Sequence, residues 1–464
     1  MKFLNNKKTT ICVQGLGFVG AAMSILVASI TKRNKPIFNV YGLELNNKKG
    51  KEKIKKLNSG EFITNITDDK LKKKIELVKK YRNFYATFNK KVISLSDIII
   101  CNINLDIIKK KNLDCDYKNL EKAIVSISKN ISEDSLLIIE STVPPGTCEE
   151  FILPLIKKEF VKRKIDISKI LLAHSFERVM PGENYLDSIK NYWRVYSANN
   201  NKAAEKCRNF YSKIINTKKY KLTRLRSMRD SEFCKILENT YRAVNIAFID
   251  EWSRLAENIN VNMFEVINAI KFRPTHSNIM SPGFGVGGYC LTKDPLFGFI
   301  SATKIFKKNK INFPITFLAS SINDRMPLSS VNILKNQLKS LKGKKIAIFG
   351  VTYRENIGDC RYSPSTYFAR ILEKSGAEIF AYDPMVKVWH DYKNLNVSVI
   401  PNLKKMDALV LAVRHSSFAN LNFNRLLEFN SKMIILDTFN ILTNKQIKEI
   451  NNKNCKLVFI GRGI

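Results

Sequence analysis

Histidine is scarce in this chain, with four residues in 464. They are dispersed, which excludes a histidine-built structural zinc site, and no metal is expected. The nine cysteines are scattered, none forms C-x-x-C, and their odd total fits a disulfide framework poorly. The sequence therefore reads as a cytoplasmic protein in a reducing compartment, with most thiols acting as small buried apolar groups. Acidic residues are outnumbered, 41 Asp+Glu against 78 Lys+Arg, for a net charge of +37. An excess of this size attracts phosphate-bearing ligands or nucleic acid. The lysines are spread along the chain, however, without the interleaved aromatics of a single-strand-binding groove. A lysine-rich solvated surface is the simpler reading, and no nucleic-acid partner is expected. A long uninterrupted apolar run is also lacking. Ile11 to Ile30 comes nearest, following Lys7 and Lys8 in the manner of a signal peptide or membrane anchor. It holds three glycines and Gln14 near its start, and no small-residue cleavage pattern follows. A buried strand, a glycine turn and a buried helix account for it, and no membrane partner is expected.

What is present is an ordinary globular composition, 45% apolar and 10% aromatic, at a length that suggests about three domains of roughly 150 residues each. Three regions follow one another. In the first, 1–226, short apolar runs at Thr10–Val13, Phe38–Leu43, Ile98–Cys101, Leu136–Ile139 and Ile170–Ala173 alternate with helical stretches such as Val19–Ala28. Continuous apolar strands separated by helices imply a parallel sheet covered on both faces. In the second, 227–330, Phe233, Ile236, Leu237, Thr240, Val244 and Ala247 recur at helical spacing, and no glycine stands between Arg229 and Pro282. This predicts a long helix followed by others, with an apolar face suited to a dimer interface or an intrachain core. In the third, 331–464, strands are expected at Lys345–Phe349, Ile379–Tyr382, Leu409–Val413, Ile434–Leu436 and Leu457–Ile460. The fold class is α/β, with two Rossmann-like, doubly wound parallel-sheet domains joined by a long central helix and a helical segment. The lysine-heavy stretches Lys48–Lys56 and Lys72–Lys80 read as solvated helix faces.

Chemistry concentrates in a few places. Gly15-Leu16-Gly17-Phe18-Val19-Gly20 follows the first strand and opens a helix, the setting in which G-x-G-x-x-G lets a backbone approach a pyrophosphate at a helix N-terminus. The second strand ends at Glu44, where a carboxylate accepts ribose hydroxyls and repels a 2′-phosphate, favouring NAD over NADP. The densest constellation is Pro282 to Pro295, where four glycines precede Tyr289-Cys290-Leu291-Thr292-Lys293-Asp294. Its glycines give a backbone able to press against a ligand, and a thiol with Lys293 and Asp294 close behind looks like a nucleophile with charge partners. Glu140-Ser141-Thr142 and His174-Ser175-Phe176-Glu177-Arg178 follow strands, which puts Thr142 and Glu177 where ligands bind in open α/β sheets. Lys235 and Asn239 share one helix face, and pattern alone leaves open whether that face meets a site or solvent.

Taken together these motifs resemble the UDP-glucose/GDP-mannose dehydrogenase family. The likeness runs in order through G-L-G-F-V-G, S-T-V-P-P-G-T at Ser141–Thr147, F-E-R-V-M-P-G at Phe176–Gly182, K-x-x-x-N at Lys235–Asn239 and G-V-G-G-Y-C-L-T-K-D-P at Gly285–Pro295. It ends in F-G-V-T-Y-R-E-N-I-G-D-C-R-Y-S-P at Phe349–Pro364. The resemblance implies an NAD-binding domain, a helical dimerisation segment and a domain binding the nucleotide sugar, a UDP-sugar by preference, in a homodimer or higher homo-oligomer. It implies four-electron oxidation of the sugar's C6 alcohol to the acid with two NAD and one water. Asp294 and Lys235 would manage the alcohol proton through a water, and the Cys290 thiolate would attack the aldehyde to give a thiohemiacetal and then a thioester. Lys235 and Asn239 would stabilise oxyanions, and Glu177, with Thr142 as a second candidate, would position the hydrolytic water. Gly15, Gly17, Phe18, Val19, Gly20, Glu44, Thr142, Lys293 and Arg361 would meet the cofactor. Glu177, Arg178, Lys235, Asn239, Gly287 and Arg354 would meet the substrate, and Arg273 and His276 compete for a further contact to it.

The chain departs from the family pattern in three places. Leu105-Asp106 stands where a Thr-Pro pair is common, and Phe176 replaces a proline before Glu177. Pro181 stands where the UDP-glucose branch has a second acid, which leans toward UDP-N-acetylhexosamines. Two other readings compete: a two-electron NAD dehydrogenase of the hydroxy-acid or 6-phosphogluconate type, and a non-catalytic protein that binds nucleotide sugars or polyanions.

Overall fold

The structure is a computed structural model that describes residues 8–64, 68–109, 113–180, 182, 184–428 and 432–463. Pro181 lies outside them. The chain forms two compact units, Met1–Glu238 with Leu296–Asn312, and Asn239–Pro295 with Phe313–Ile464.

The first unit is built on an eight-stranded sheet. Its order is Leu222–Arg224, Arg194–Ala198, Leu171–His174, Leu136–Ile139, Ile98–Cys101, Thr9–Gln14, Phe38–Leu43, Phe84–Thr87. The central strands are buried along their length, as continuous apolar runs require when helices cover both faces. Five of these strands were expected from apolar runs, the fifth starting one residue later than expected. Arg194–Ala198 was not expected, and it pairs antiparallel to Leu171–His174, breaking an otherwise parallel sheet. Its arginine, tyrosine and serine mask the strand pattern in the sequence. Residues 296–312 return to this unit, where the Ser301 hydroxyl donates to the Pro145 carbonyl at 2.6 Å.

The second unit holds a five-stranded parallel sheet in the order Glu378–Tyr382, Lys345–Phe349, Ala408–Leu411, Ile434–Asp437, Lys456–Phe459. All five match expected strands to within a residue or two at each end. Its core gathers Phe284, Leu334, Ile348, Phe368, Trp389, Val410 and Leu436.

The long helix runs from Met228 to Asn258 and is followed by Met263–Lys271. The residues expected to share its apolar face divide between two faces. Ile236 and Ala247 are buried, whereas Phe233 and Leu237 are more than half exposed. Tyr241, Phe248, Trp252, Leu255 and Ile259 are exposed too and continue an outer stripe at three-, four- and seven-residue spacing. No helix among the described residues is long and apolar enough to cross a membrane.

Candidate functional site

In the first unit, strand ends and helix starts meet at one edge of the sheet. Gly15 sits at φ +93°, and a Cβ there would lie 2.5 Å from the Asn102 carbonyl oxygen. A Cβ at Gly20 would lie 2.0 Å from the Gly15 carbonyl, while one at Gly17 would meet nothing within 4 Å. Two of the glycines are thus required by the turn itself, and Gly17 keeps the approach to the helix open. That helix, Phe18–Ala28, has no side-chain cap and no acidic residue in its first turn. Its first N–H groups and the positive end of its dipole suit a phosphate. Phe18 and Val19 are half-buried in this turn, and the Phe18 carbonyl accepts the Tyr185 hydroxyl. Glu44 is pinned beside it. Its Oε2 accepts the Leu16 N–H at 3.1 Å and the Lys53 ammonium at 2.8 Å, and its Oε1 accepts the Leu45 N–H at 2.9 Å. A carboxylate offers about four lone-pair sites, so acceptor capacity remains for ribose hydroxyls. Leu105, which stands in the family's Thr-Pro place, is wholly buried in the core. Asp106 opens a small antiparallel hairpin, Asp106–Lys109 with Leu113–Asp116.

Thr142 is half-buried in the loop after Leu136–Ile139. Glu232 on the long helix holds that loop, its carboxylate accepting the N–H groups of Gly146 at 2.5 Å and Cys148 at 2.8 Å. Burial pushes the Glu232 carboxyl up to about 8. Glu177 follows Leu171–His174. Its carbonyl accepts the Lys235 ammonium at 2.9 Å and its carboxylate accepts the Val179 N–H. Burial raises the Glu177 carboxyl above its ordinary value, against the opposing pull of Lys235. Lys235 is itself buried, 5.5 Å from the centre of the Phe176 ring. Phe176 thus gives the lysine an aromatic face. Arg178 is committed within the protein: its Nε reaches both Glu238 carboxylate oxygens at 3.1 and 3.2 Å, and a guanidinium nitrogen donates to the Trp193 carbonyl.

In the second unit the Cys290 segment is a tight turn. The Cys290 carbonyl accepts the N–H groups of Lys293 at 3.1 Å and Asp294 at 2.9 Å. The Asp294 carboxylate is wholly buried and held from both sides, by the Lys293 ammonium at 2.9 Å and the Asn239 amide at 2.7 Å. Among the nine cysteines Cys290 is the exposed one; the others are buried or half-buried. The preceding glycines are also packed tightly within the protein. A Cβ at Gly283 would strike Phe439, at Gly285 Pro364, at Gly287 Pro364 and Tyr353, and at Gly288, where φ is +83°, the Tyr353 ring at 2.6 Å. The missing side chains let the turn pack against protein. Tyr353 is a neighbour that sequence reasoning missed; burial, Asp359 and Cys290 push its phenol up to about 12. Lys293 lies 4.6 Å and Arg361 5.7 Å from the centre of the Tyr289 ring, and Arg361 also forks onto Asp359 at 2.7 to 3.1 Å.

The first unit thus gathers Glu177, Arg178 and Lys235, and the second gathers Asn239, Gly287, Cys290, Lys293, Asp294 and Arg361. Lys235 and Asn239 stand one turn apart on the long helix. Arg354 pairs with Glu355 at 3.1 Å. Arg273 and His276 lie in an exposed turn outside both clusters, with His276 bonded to Thr275 at 2.8 Å. Among the described residues no three His, Cys, Asp or Glu side chains are grouped to hold a metal.

Comparison with known proteins decides what these clusters belong to. The NAD binding domain of the UDP-glucose/GDP-mannose dehydrogenase family matches residues 9–215, its central domain 229–325 and its UDP binding domain 347–444. A UDP-N-acetyl-D-mannosamine dehydrogenase of Methanocaldococcus jannaschii is 34% identical over 98% of this chain and 96% of its own length. The chain belongs to the UDP-glucose/GDP-mannose dehydrogenase family. It is a dinucleotide-dependent nucleotide-sugar dehydrogenase, an oxidoreductase, with a UDP-sugar-binding domain at its carboxyl end. A UDP-glucose 6-dehydrogenase of Rickettsia prowazekii is 27% identical over 94% of this chain and 96% of its own length. The structure of a UDP-D-ManNAc dehydrogenase from Pyrococcus horikoshii superposes with a TM-score of 0.82 at 28% identity, covering 98% of this chain and 100% of that one. Family membership sets aside the hydroxy-acid and non-catalytic readings.

Proposed function

We propose that this family member is an NAD-dependent 6-dehydrogenase that oxidises the C6 alcohol of a UDP-N-acetylhexosamine to the acid through a covalent intermediate on Cys290. UDP-N-acetylmannosamine is the first substrate to try, given the name of the 34% identical relative, and UDP-glucose is the second, given the name of the 27% identical one. The observation that carries the reading is the exposed thiol of Cys290 on a turn whose buried Asp294 is held by Asn239 and Lys293.

Two NAD molecules, bound in turn, would supply the hydride acceptors, one for alcohol to aldehyde and one for thiohemiacetal to thioester. The uncapped helix Phe18–Ala28, the open side of Gly17 and the pinned Glu44 suit the cofactor's pyrophosphate and ribose, and Thr142, Lys293 and Arg361 would complete its contacts. The protein's own residues do the rest. Asp294 and Lys235 hold a water that carries away the alcohol proton. The Cys290 thiolate adds to the aldehyde carbon, which keeps the half-oxidised sugar from escaping. Lys235 and Asn239 donate to the oxyanions that form. Glu177, with Thr142 as a second candidate, positions the water that adds to the thioester and takes its proton, and the C–S bond breaks to return the thiol. Arg354, Gly287, Arg178 and one of Arg273 or His276 would bind the nucleotide sugar.

Residues 1–226, 227–330 and 331–464 would act as cofactor, dimerisation and nucleotide-sugar segments. The outer stripe Phe233, Leu237, Tyr241, Phe248, Trp252, Leu255 and Ile259 is a row of exposed large apolar side chains on one helix and the residue after it, the kind of surface that marks an interaction site, which supports a homodimer or higher homo-oligomer of this chain. An exposed nucleophilic thiol suits a reducing cytoplasm.

The test is an NADH-formation screen over UDP-N-acetylmannosamine, UDP-N-acetylglucosamine, UDP-N-acetylgalactosamine, UDP-glucose and GDP-mannose, repeated with Cys290→Ser. Two NADH per sugar, with net acid formation lost in the variant, are expected. Acid production by Cys290→Ser at the parental rate would overturn the covalent mechanism.

A further inference from the structure

A buried ion pair at the edge of the first unit's sheet has no part in the chemistry so far. Glu140 and Arg194 are almost inaccessible, and a guanidinium nitrogen of Arg194 donates to Glu140 Oε1. A buried pair of this kind adds little net stability over apolar residues of similar volume, so its use is sought in the geometry that it fixes. That geometry spans four strands. Glu140 ends Leu136–Ile139, and its Oε2 accepts the Asn102 amide at 2.9 Å from the end of Ile98–Cys101. Arg194 begins the antiparallel strand Arg194–Ala198 and grips Ser175 twice, Nε to the hydroxyl at 3.0 Å and Nη2 to the carbonyl at 3.0 Å. Tyr211 closes the group, its hydroxyl accepting from Arg194 at 2.9 Å and donating to Glu140 at 3.2 Å. Ser175 lies two residues before Glu177, and Glu140 two residues before Thr142.

We propose that Arg194, locked by Glu140, is a positioning residue for Glu177: it fixes the Ser175–Glu177 segment so that the carboxylate is aimed at the water that hydrolyses the thioester. The proposal rests on the reading of Glu177 given above. A guanidinium is suited to the task, because its planar fork holds a carbonyl, a hydroxyl and a carboxylate at once, which an ammonium cannot do in the same geometry. The pair also sets the charge around Glu177. The charged groups acting on that carboxylate are Lys235 from the long helix and Arg194 and Glu140 from the strand ends, while the adjacent Arg178 is turned to Glu238 and Trp193. Lys235 and Arg194 pull its proton affinity down and Glu140 pushes it up.

Three variants of the whole enzyme test this with its nucleotide sugar and NAD: Glu177→Gln, Arg194→Lys and Glu140→Gln. Two quantities are read, the first-turnover NADH burst and the fraction of acylated Cys290 by intact-mass spectrometry after acid quench, both as a function of pH. Arg194→Lys keeps the charge and loses the fork; hydrolysis should slow by about 10²-fold, the cost of a misplaced group, with the burst intact and acyl-enzyme accumulating. Glu140→Gln removes a negative charge beside Glu177, so the acid limb of the hydrolytic step should move to lower pH, which a purely structural part would not produce. If Glu177→Gln stalls hydrolysis while Arg194→Lys hydrolyses at the parental rate, or the Glu140→Gln limb stays in place, the positioning role is refuted. Should Arg194→Lys fail to fold, the Glu140→Gln limb decides alone. If Glu177→Gln itself hydrolyses normally, the reading of Glu177 falls, and that failure is recognisable because it appears in the Glu177 variant.

Discussion

Asn239→Ala isolates the bond that holds the buried carboxylate beside the thiol. The Asn239 amide donates to Asp294 Oδ2 at 2.7 Å, and the Lys293 ammonium donates to Oδ1 at 2.9 Å. Asp294 is wholly inaccessible and Asn239 nearly so, so water does not readily replace the lost donor. A hydrogen bond to a charged group contributes about 1.5–3 kcal/mol, and leaving its buried partner unsatisfied costs at least as much. The second unit should therefore lose about 1.5–3 kcal/mol, roughly 10- to 150-fold in its folding equilibrium. Trp389, a fully buried indole of the same unit, reports the transition in urea. A double-mutant cycle makes the test specific: in an Asp294→Ala background, Asn239→Ala should cost far less, because its partner is already gone. Equal losses in both backgrounds would refute the idea that Asn239 acts through Asp294. A loss below about 0.5 kcal/mol, the usual size for an inconsequential substitution, would refute it as well.

Glu232→Gln should change how stability depends on pH. In the folded protein Glu232 titrates near 8 rather than at its ordinary 4.5, so between those values the folded state binds the extra proton and wild-type stability falls as pH rises, by at most about 1.4 kcal/mol per pH unit. The variant, which mimics the protonated form, should flatten that slope between pH 5 and 8 in thermal unfolding scans; an unchanged slope would count against the assignment. Gly288→Ala forces a left-handed residue to carry a Cβ 2.6 Å from the Tyr353 ring. The backbone alone costs about 1–2 kcal/mol, and acid formation should fall because Cys290 lies two residues on; full activity at parental stability would contradict the packing described here.

Much of this protein was legible in its sequence. The apolar runs marked five strands of the first sheet and all five of the second, because a strand buried on both faces has to be apolar throughout. The glycine turn at Gly15–Gly20 and the Cys290 segment were visible because only glycine tolerates such backbone angles and close approaches, so the requirement is written as residue identity. The long helix could be read too, but not the division of its apolar residues into inner and outer faces: Phe233, Ile236 and Leu237 are equally apolar, and only what packs against each decides its fate. What the tertiary structure alone decided concerns partners far apart in the chain. Arg194 carried no signal in the sequence, and an antiparallel strand brings it to Glu140 and Ser175; Glu232 carried none either, and its helix brings it to the Gly146 loop. The packing of the glycines before Cys290 against Tyr353 and Pro364 was likewise not legible in the sequence. Local chemistry is fixed by residue type and spacing, whereas the partner of a buried charge is fixed by which strands and helices become neighbours, and no local pattern records that.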